Sequence, residues 1–259
     1  IVFPEDKSHL RACSLSLSGS DGPHDLGKQV DALLALNGSA TDEAVLVTIT
    51  SGMNDIWGDI GRMGEMLLSI LARPEDSYTT WLEATVDAIE PNITDAATRL
   101  LALGPNVGVV VSGYYNPMNP RFFESPIDSP MLLMNTAFAK LWRSFEAVCA
   151  FQDCYARTNQ LIETLNAGLH AAVTEVGSDR VRFEDSMYES FKGHASVCGL
   201  EVADRADSWV QSPIDPHSNA IGTIFSQPEV AGMGDCIHPN AHGAQAIARA
   251  LETPALSLL

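Results

Sequence analysis

An acidic residue and a histidine stand close together near the carboxyl terminus of the chain. Asp235 and His238 are three positions apart, directly before Pro239-Asn240. A carboxylate at this spacing can hold Nδ1 of an imidazole across a turn, so that the other ring nitrogen faces a nucleophile. Pro239 fits the start of a helix. The spacing therefore predicts a general base, and the alternative is a surface or helix-capping histidine.

A second polar cluster, Ser51-Gly52-Met53-Asn54-Asp55, directly follows an apolar run at 44–50. Gly52 permits a tight turn there. The side-chain amide of Asn54 can donate to an oxyanion that develops in a cleft. The alternative is an ordinary turn in which Asn54 or Asp55 caps a helix that starts near Ile56.

The elements that must position these clusters alternate between strands and helices. Apolar, β-branched runs predict strands at 44–50, 107–112 and 180–184. Helical patterns cover 26–36, 79–103 (with Pro91 as a break or kink), 132–148, 155–176 and 241–251. This alternation predicts an α/β fold with a parallel sheet covered on both faces. Ligands of such sheets bind at the carboxyl ends of the strands, which is where the second cluster lies.

Length and charge limit the class of protein. The 259 residues, 46% of them hydrophobic, are enough for one sizeable core, and we predict a single domain over 1–259. A net charge of −18 disfavours nucleic acid as a partner. No apolar run is long enough for stable membrane insertion. Residues 113–131, which are rich in proline and aromatic residues, and 199–234, which show little periodicity, are predicted to line the cleft. The second segment is predicted to be a functional or disulfide-stapled loop.

Five cysteines indicate an oxidising environment and no metal site. Cys149 and Cys154 can close a small loop, and Cys198 and Cys236 a longer one, which leaves Cys13 as a free thiol or without its partner. The histidines and cysteines lack the spacing of a zinc site, and no glycine-rich phosphate loop occurs. We therefore expect neither a metal nor a cofactor.

Together the two polar clusters resemble the third and fifth sequence blocks of the SGNH/GDSL hydrolases. Further segments resemble the secreted bacterial lipase and esterase branch of that family. They are Arg11-Ala12-Cys13-Ser14 with Gln29 and Leu33, the run from Val109 to Pro117, and Phe191-Lys192-Gly193-His194 with Cys198 and Trp209. The resemblance implies a three-layer α/β/α domain with a flavodoxin-like parallel sheet. It also implies a secreted monomer that acts on a small-molecule or lipid ester.

The resemblance assigns a role to individual residues of this chain. His238 becomes the general base and Asp235 orients its ring. Asn54 donates its side-chain N–H to the oxyanion, and Gly52 shapes the loop that holds Asn54. A second oxyanion donor is the backbone N–H of Leu15, at a position where the family has glycine. The Gly193-His194 segment shapes a loop beside the site.

The family's first block, a Gly-Asp-Ser that carries the nucleophile, has no counterpart in the residues before Cys13. The nucleophile is therefore unknown, and two explanations stay open. We expect the chain to be truncated, with the first strand, the serine and the partner of Cys13 all upstream. The alternative is a non-catalytic binding protein that has lost its nucleophile. A polysaccharide O-deacetylase would use the same chemistry on another substrate.

Overall fold

The structure, a computed structural model, describes residues 26–37, 45–57, 60–116, 154–192, 194, 209, 239 and 241–258. These residues fall into two compact units. The first contains the described residues up to Tyr114 together with 161–186 and 249–258, and the second contains the others. The prediction of a single domain over 1–259 stays a prediction.

Seven helices and three strands are described. The strands are β1 (Val45–Ile49), β2 (Val107–Ser112) and β3 (Val181–Glu184). The helices are α1 (Leu26–Asn37), α2 (Met53–Trp57), α3 (Ile60–Ala72), α4 (Glu75–Leu101), α5 (Cys154–Val176), α6 (Ser186–Ser190) and α7 (Ala241–Leu256).

The three strands form one parallel sheet in the order β1-β2-β3. Val45 pairs with Val107 at one end of the β1–β2 ladder, and Ile49 pairs with Val111 at the other. β3 continues the sheet, with Val109 opposite Val181. The predicted α/β class and the positions of all three predicted strands are confirmed, because β-branched runs suit a sheet that is buried on both sides.

The core of the first unit is built around β2. All six of its residues are buried, so both faces of this strand are covered by other parts of the chain. Helix α4 packs against β2 and also contacts α1. Its buried side chains are Tyr78, Leu82, Val86, Ile89, Ile93, Ala96, Ala97, Leu100 and Leu101. Such an arrangement fixes the carboxyl end of β2, where polar residues follow.

Of the two alternatives predicted at Pro91, the break does not occur, and the kink stays a prediction. The helix begins at Glu75, earlier than the predicted start at 79, and runs through Pro91 without ending there. Ile89 and Ile93 are buried on either side of the proline, so packing holds both halves against the core even though Pro91 donates no backbone hydrogen bond. Glu75 and Asp76 occupy the first turn, where negative charge stabilises a helix.

The other predicted helices agree with the structure where it describes them. α1 and α5 match 26–36 and 155–176, while α7 continues beyond 251 to Leu256 with Pro254 inside it. Helix α3 is not among the predicted helices, although its sequence has a periodic apolar pattern. The predicted helix at 132–148 lies outside the described residues.

Candidate functional site

The turn that follows β1 depends on Gly52. Its φ of 119° lies in a backbone region that residues other than glycine rarely adopt. A Cβ at this position would come within 3.2 Å of Ile89 Cγ2 and 3.3 Å of Leu165 Cδ1. The Gly52 carbonyl accepts a hydrogen bond from the Asp55 N–H at 3.0 Å, at the start of helix α2. Both the backbone angle and the closeness of the core therefore favour glycine.

Asn54 lies in the first turn of α2 and is half-buried. The helix begins at Met53, so Asn54 is its second residue and does not cap a helix that starts near Ile56. Arg62 of α3 holds this turn from one side: its Nη1 donates to the Asn54 carbonyl at 3.5 Å and to the Asp55 carbonyl at 3.4 Å. The same nitrogen lies 3.8 Å from Asp55 Oδ1.

Tyr114 joins the end of β2 to the same turn. Its hydroxyl oxygen accepts a hydrogen bond from the Met53 N–H at 3.4 Å. Burial raises the pKa of the Tyr114 phenol, the nearby Asp55 raises it further, and the hydrogen bond from Met53 lowers it. Since the upward shift prevails, the phenol stays protonated and neutral at physiological pH.

The side chain of Asn166 fixes Tyr114 through its backbone. The Tyr114 N–H donates to Asn166 Oδ1 at 2.7 Å, and Asn166 Nδ2 donates to the Tyr114 carbonyl at 2.9 Å. Although Asn166 is polar, it is only 8% exposed, because it lies on α5 among the buried Ile162, Leu165 and Leu169. The amide thus satisfies both backbone groups of Tyr114 in a dry environment, where leaving them unpaired would be costly.

The last residue of β3, Glu184, contacts the chain directly after β2. The Gly113 N–H donates to the Glu184 carbonyl at 2.8 Å. A Cβ on Gly113 would approach that carbonyl oxygen to 3.2 Å and Asn166 Oδ1 to 3.1 Å. Gly113 therefore lets the chain pass between β3 and α5 on its way to Tyr114.

The described residues contain part of the predicted site. Gly52 and Asn54 lie together at the carboxyl end of β1. Asp235, His238 and Leu15 lie outside the described residues, as do Cys13, Cys149, Cys198 and Cys236. Cys154 is buried at the start of α5. The roles of Asp235, His238 and Leu15 and the two cysteine pairings stay predictions.

Two serines lie at the same edge of the sheet, but both are buried. Ser51 follows β1 and Ser112 ends β2, and each is 1% exposed. Ser112 Oγ donates to the Gly113 carbonyl at 3.0 Å. A nucleophile must reach the carbonyl carbon of its substrate, so neither serine suits that role. The nucleophile stays unknown.

Sequence reasoning missed Tyr114 and Asn166. Tyr114 belongs to a segment that was noted only for its resemblance and for its loop composition. Asn166 carried a clearer signal, because it is a polar residue on a helix face that otherwise holds the apolar Ile162, Leu165 and Leu169. A buried amide in such a face usually has a backbone partner, and here that partner is the residue after β2.

The second unit contains a stack of aromatic side chains. Tyr115 stacks on Phe191 with ring centroids 3.9 Å apart, and Trp209 meets Phe191 edge-on at 5.2 Å. His194 lies flat on Trp209 at 4.0 Å, and its carbonyl accepts a hydrogen bond from the Trp209 N–H at 2.9 Å. These contacts give His194 a packing role within this unit.

Neither a metal-binding cluster nor a membrane-spanning helix occurs among the described residues. Among its residues, no group of three or more His, Cys, Asp or Glu side chains could hold a metal ion. None of the helices described there combines the length and the apolar character that crossing a membrane requires.

Comparison with known proteins finds structural neighbours only. No protein-family model and no curated protein sequence matches the chain. The structure is similar to phospholipase A1 from Streptomyces albidoflavus NA297, with a TM-score of 0.48 and 20% identity over 87% of this chain and 75% of that one. It is also similar to an extracellular lipase from Streptomyces rimosus, with a TM-score of 0.44 and 16% identity over 85% and 75%. Both likenesses are distant, and the function proposed below rests on residues of this chain.

Proposed function

We propose that this protein is a carboxylic-ester hydrolase of the SGNH type. The observation that supports the proposal best is the turn at the carboxyl end of β1, where a glycine with positive φ is followed by the half-buried Asn54. Open parallel sheets bind their ligands at this edge. A neutral amide donor held there suits the oxyanion of acyl transfer better than a charged group that would bind the acid product.

The proposed reaction proceeds through an acyl-serine. His238 takes the proton of the serine hydroxyl while the oxygen attacks the ester carbonyl, and Asp235 stabilises the imidazolium that forms. Asn54 Nδ2 and the Leu15 N–H stabilise the resulting oxyanion. When this intermediate collapses, the C–O bond breaks and His238 returns the proton to the alcohol. Water, activated by the same histidine, then releases the acid and regenerates the serine.

The proposal includes the partners and location implied by the family resemblance. The substrate is a small-molecule or lipid ester, and the protein acts as a secreted monomer without a metal or an organic cofactor. The net charge of −18 supports solubility in the aqueous phase and gives the surface little attraction for nucleic acid.

The test is hydrolysis of p-nitrophenyl butyrate by the wild type, expressed as the full-length product of its gene, and by its His238→Ala and Asn54→Ala variants. Loss of the general base is expected to lower kcat/KM by at least about 10³-fold. Loss of the oxyanion donor is expected to lower kcat by about 10²-fold to 10³-fold. The matched control is His242→Ala, which removes an exposed histidine from α7 and is expected to leave the rate unchanged.

Two results would contradict the proposal, and a third would change its substrate class. Unchanged turnover in His238→Ala would remove the histidine from the mechanism. A folded wild type that neither hydrolyses the ester nor reacts with a serine-directed fluorophosphonate would favour the non-catalytic binding protein. Release of acetate from an acetylated polysaccharide, with no cleavage of the p-nitrophenyl ester, would favour the O-deacetylase.

A further inference from the structure

A continuous line of contacts within the first unit runs from α5 to the Asn54 turn. It begins at the Asn166 side chain, which forms two hydrogen bonds with the Tyr114 backbone at 2.7 and 2.9 Å. It continues through the Tyr114 ring to the hydroxyl group, 3.4 Å from the Met53 nitrogen. Met53 directly precedes Asn54.

The side chains of Arg62 and Tyr114 both form hydrogen bonds with the backbone of the turn that receives this contact. Gly52 places no side chain in the core, and glycine costs more conformational entropy to order than any other residue. Helix α2 has only one turn and a half, from Met53 to Trp57. Arg62 holds the carbonyl side of the turn, and the phenol holds an N–H of its first residue.

We infer that Tyr114 is a positioning residue for the oxyanion donor: its hydroxyl group anchors the Met53 N–H and thereby sets the direction of the Asn54 side chain. Asn166 acts one step further away by fixing the Tyr114 backbone. The inference rests on the proposed function for the role of Asn54, although the structural link from Tyr114 to Met53 does not.

The hydroxyl group of Tyr114 can be removed with little change in shape. Tyr114→Phe keeps the buried ring and deletes the acceptor of the Met53 hydrogen bond. Displacing a catalytic group by about 1 Å can cost about 10²-fold in rate. For a turn that stays held by Arg62 we expect a smaller loss, of about 5-fold to 30-fold in kcat, with KM within about twofold of the wild type.

A double-mutant cycle separates a positioning role from a general structural one. Tyr114→Phe is measured in the wild type and in Asn54→Ala with p-nitrophenyl butyrate as substrate. If Tyr114 acts through Asn54, its substitution is expected to change kcat by less than about twofold once Asn54 is absent. Equal losses in the two backgrounds would overturn the inference.

Tyr78→Phe is the matched control. It removes the hydroxyl group of Tyr78, a fully buried tyrosine on α4 in the same unit, whose ring centroid lies 5.9 Å from that of Trp81. Its kcat is expected to equal that of the wild type. A loss in Tyr78→Phe as large as that in Tyr114→Phe would also overturn the inference, since any buried hydroxyl group would then matter equally.

A measurement without turnover tests the inference even if the protein hydrolyses no ester. In ¹H–¹⁵N spectra, Tyr114→Phe is expected to shift the Met53 backbone amide and the Asn54 side-chain amide, while Tyr78→Phe leaves both in place. Asn166→Ala is expected to shift the same two signals. Unshifted signals in Tyr114→Phe would overturn the positioning role. A wild type without activity but with these shifts would contradict the proposed function alone.

Discussion

Gly52→Ala is the substitution that tests the geometry of the site most severely. The added methyl group meets two obstacles: a φ of 119° and core atoms of Ile89 and Leu165 at 3.2 and 3.3 Å. A residue other than glycine in such a backbone region costs about 1–3 kcal/mol. Crowding of a packed core adds about 1 kcal/mol or more. We therefore expect the free energy of unfolding to fall by about 2–4 kcal/mol.

The same substitution in α3 provides the control. A Cβ at Gly64 meets no atom within 4 Å, and the residue lies inside a regular helix. There, alanine is favoured over glycine by about 0.5–1 kcal/mol. Gly64→Ala is thus expected to stabilise the protein slightly, so that two chemically identical substitutions change the free energy of unfolding in opposite directions.

Urea denaturation followed by circular dichroism measures both changes. Gly52→Ala is expected to lower the midpoint, and Gly64→Ala is expected to raise it or leave it unchanged. The melting temperature of Gly52→Ala is expected to fall by roughly 5–15 °C, at about 2–4 °C for each kcal/mol in a chain of this size. Equal midpoints for the two variants would refute the strained turn and, with it, the reason that this position is glycine.

Two further predictions concern the scaffold of the first unit. The pKa of Glu90 is raised, first by burial and then by Asp87 and Glu175, so the folded state loses stability as the pH rises through the ordinary glutamate pKa of about 4.3 and above. Glu90→Gln is therefore expected to stabilise the protein at pH 7 but not at pH 3, as measured by urea midpoints, and an equal gain at both would contradict this. Arg180 Nη1 donates to the Gly104 carbonyl at 2.6 Å and to others nearby, so Arg180→Met is expected to cost about 1–3 kcal/mol of stability. Arg182→Met is its control, because Arg182 Nη1 donates to the carbonyl of the adjacent Val181, and equal losses would count against the anchoring role.

The strands and the α/β class could be predicted because their signal is local. The runs that contain Val45–Ile49 and Val107–Ser112 are short, apolar and β-branched, and each is bounded by polar or turn-forming residues. The break predicted at Pro91, as one of two alternatives, does not occur for a non-local reason. The residues on either side of it are buried against the rest of the unit, and this packing outweighs the hydrogen bond that proline cannot donate.

The site could be predicted only where chemistry and spacing occur together in the sequence. Gly52 and Asn54 stand two positions apart, so their shared turn was visible. Tyr114 and Asn166 are separated by 52 positions, and nothing in either neighbourhood indicates that one amide side chain satisfies both backbone groups of the other residue. Such contacts depend on the packing of α5 beside the end of β2.

Fluorophosphonate labelling followed by peptide mass spectrometry tests the proposed serine mechanism most directly. It is performed on the 259-residue chain and on the full-length product of its gene, because the nucleophile is unknown. We predict a covalent adduct on one serine, and its loss or strong reduction in His238→Ala. No adduct on either folded chain, or an adduct that forms at the same rate in His238→Ala, would contradict it.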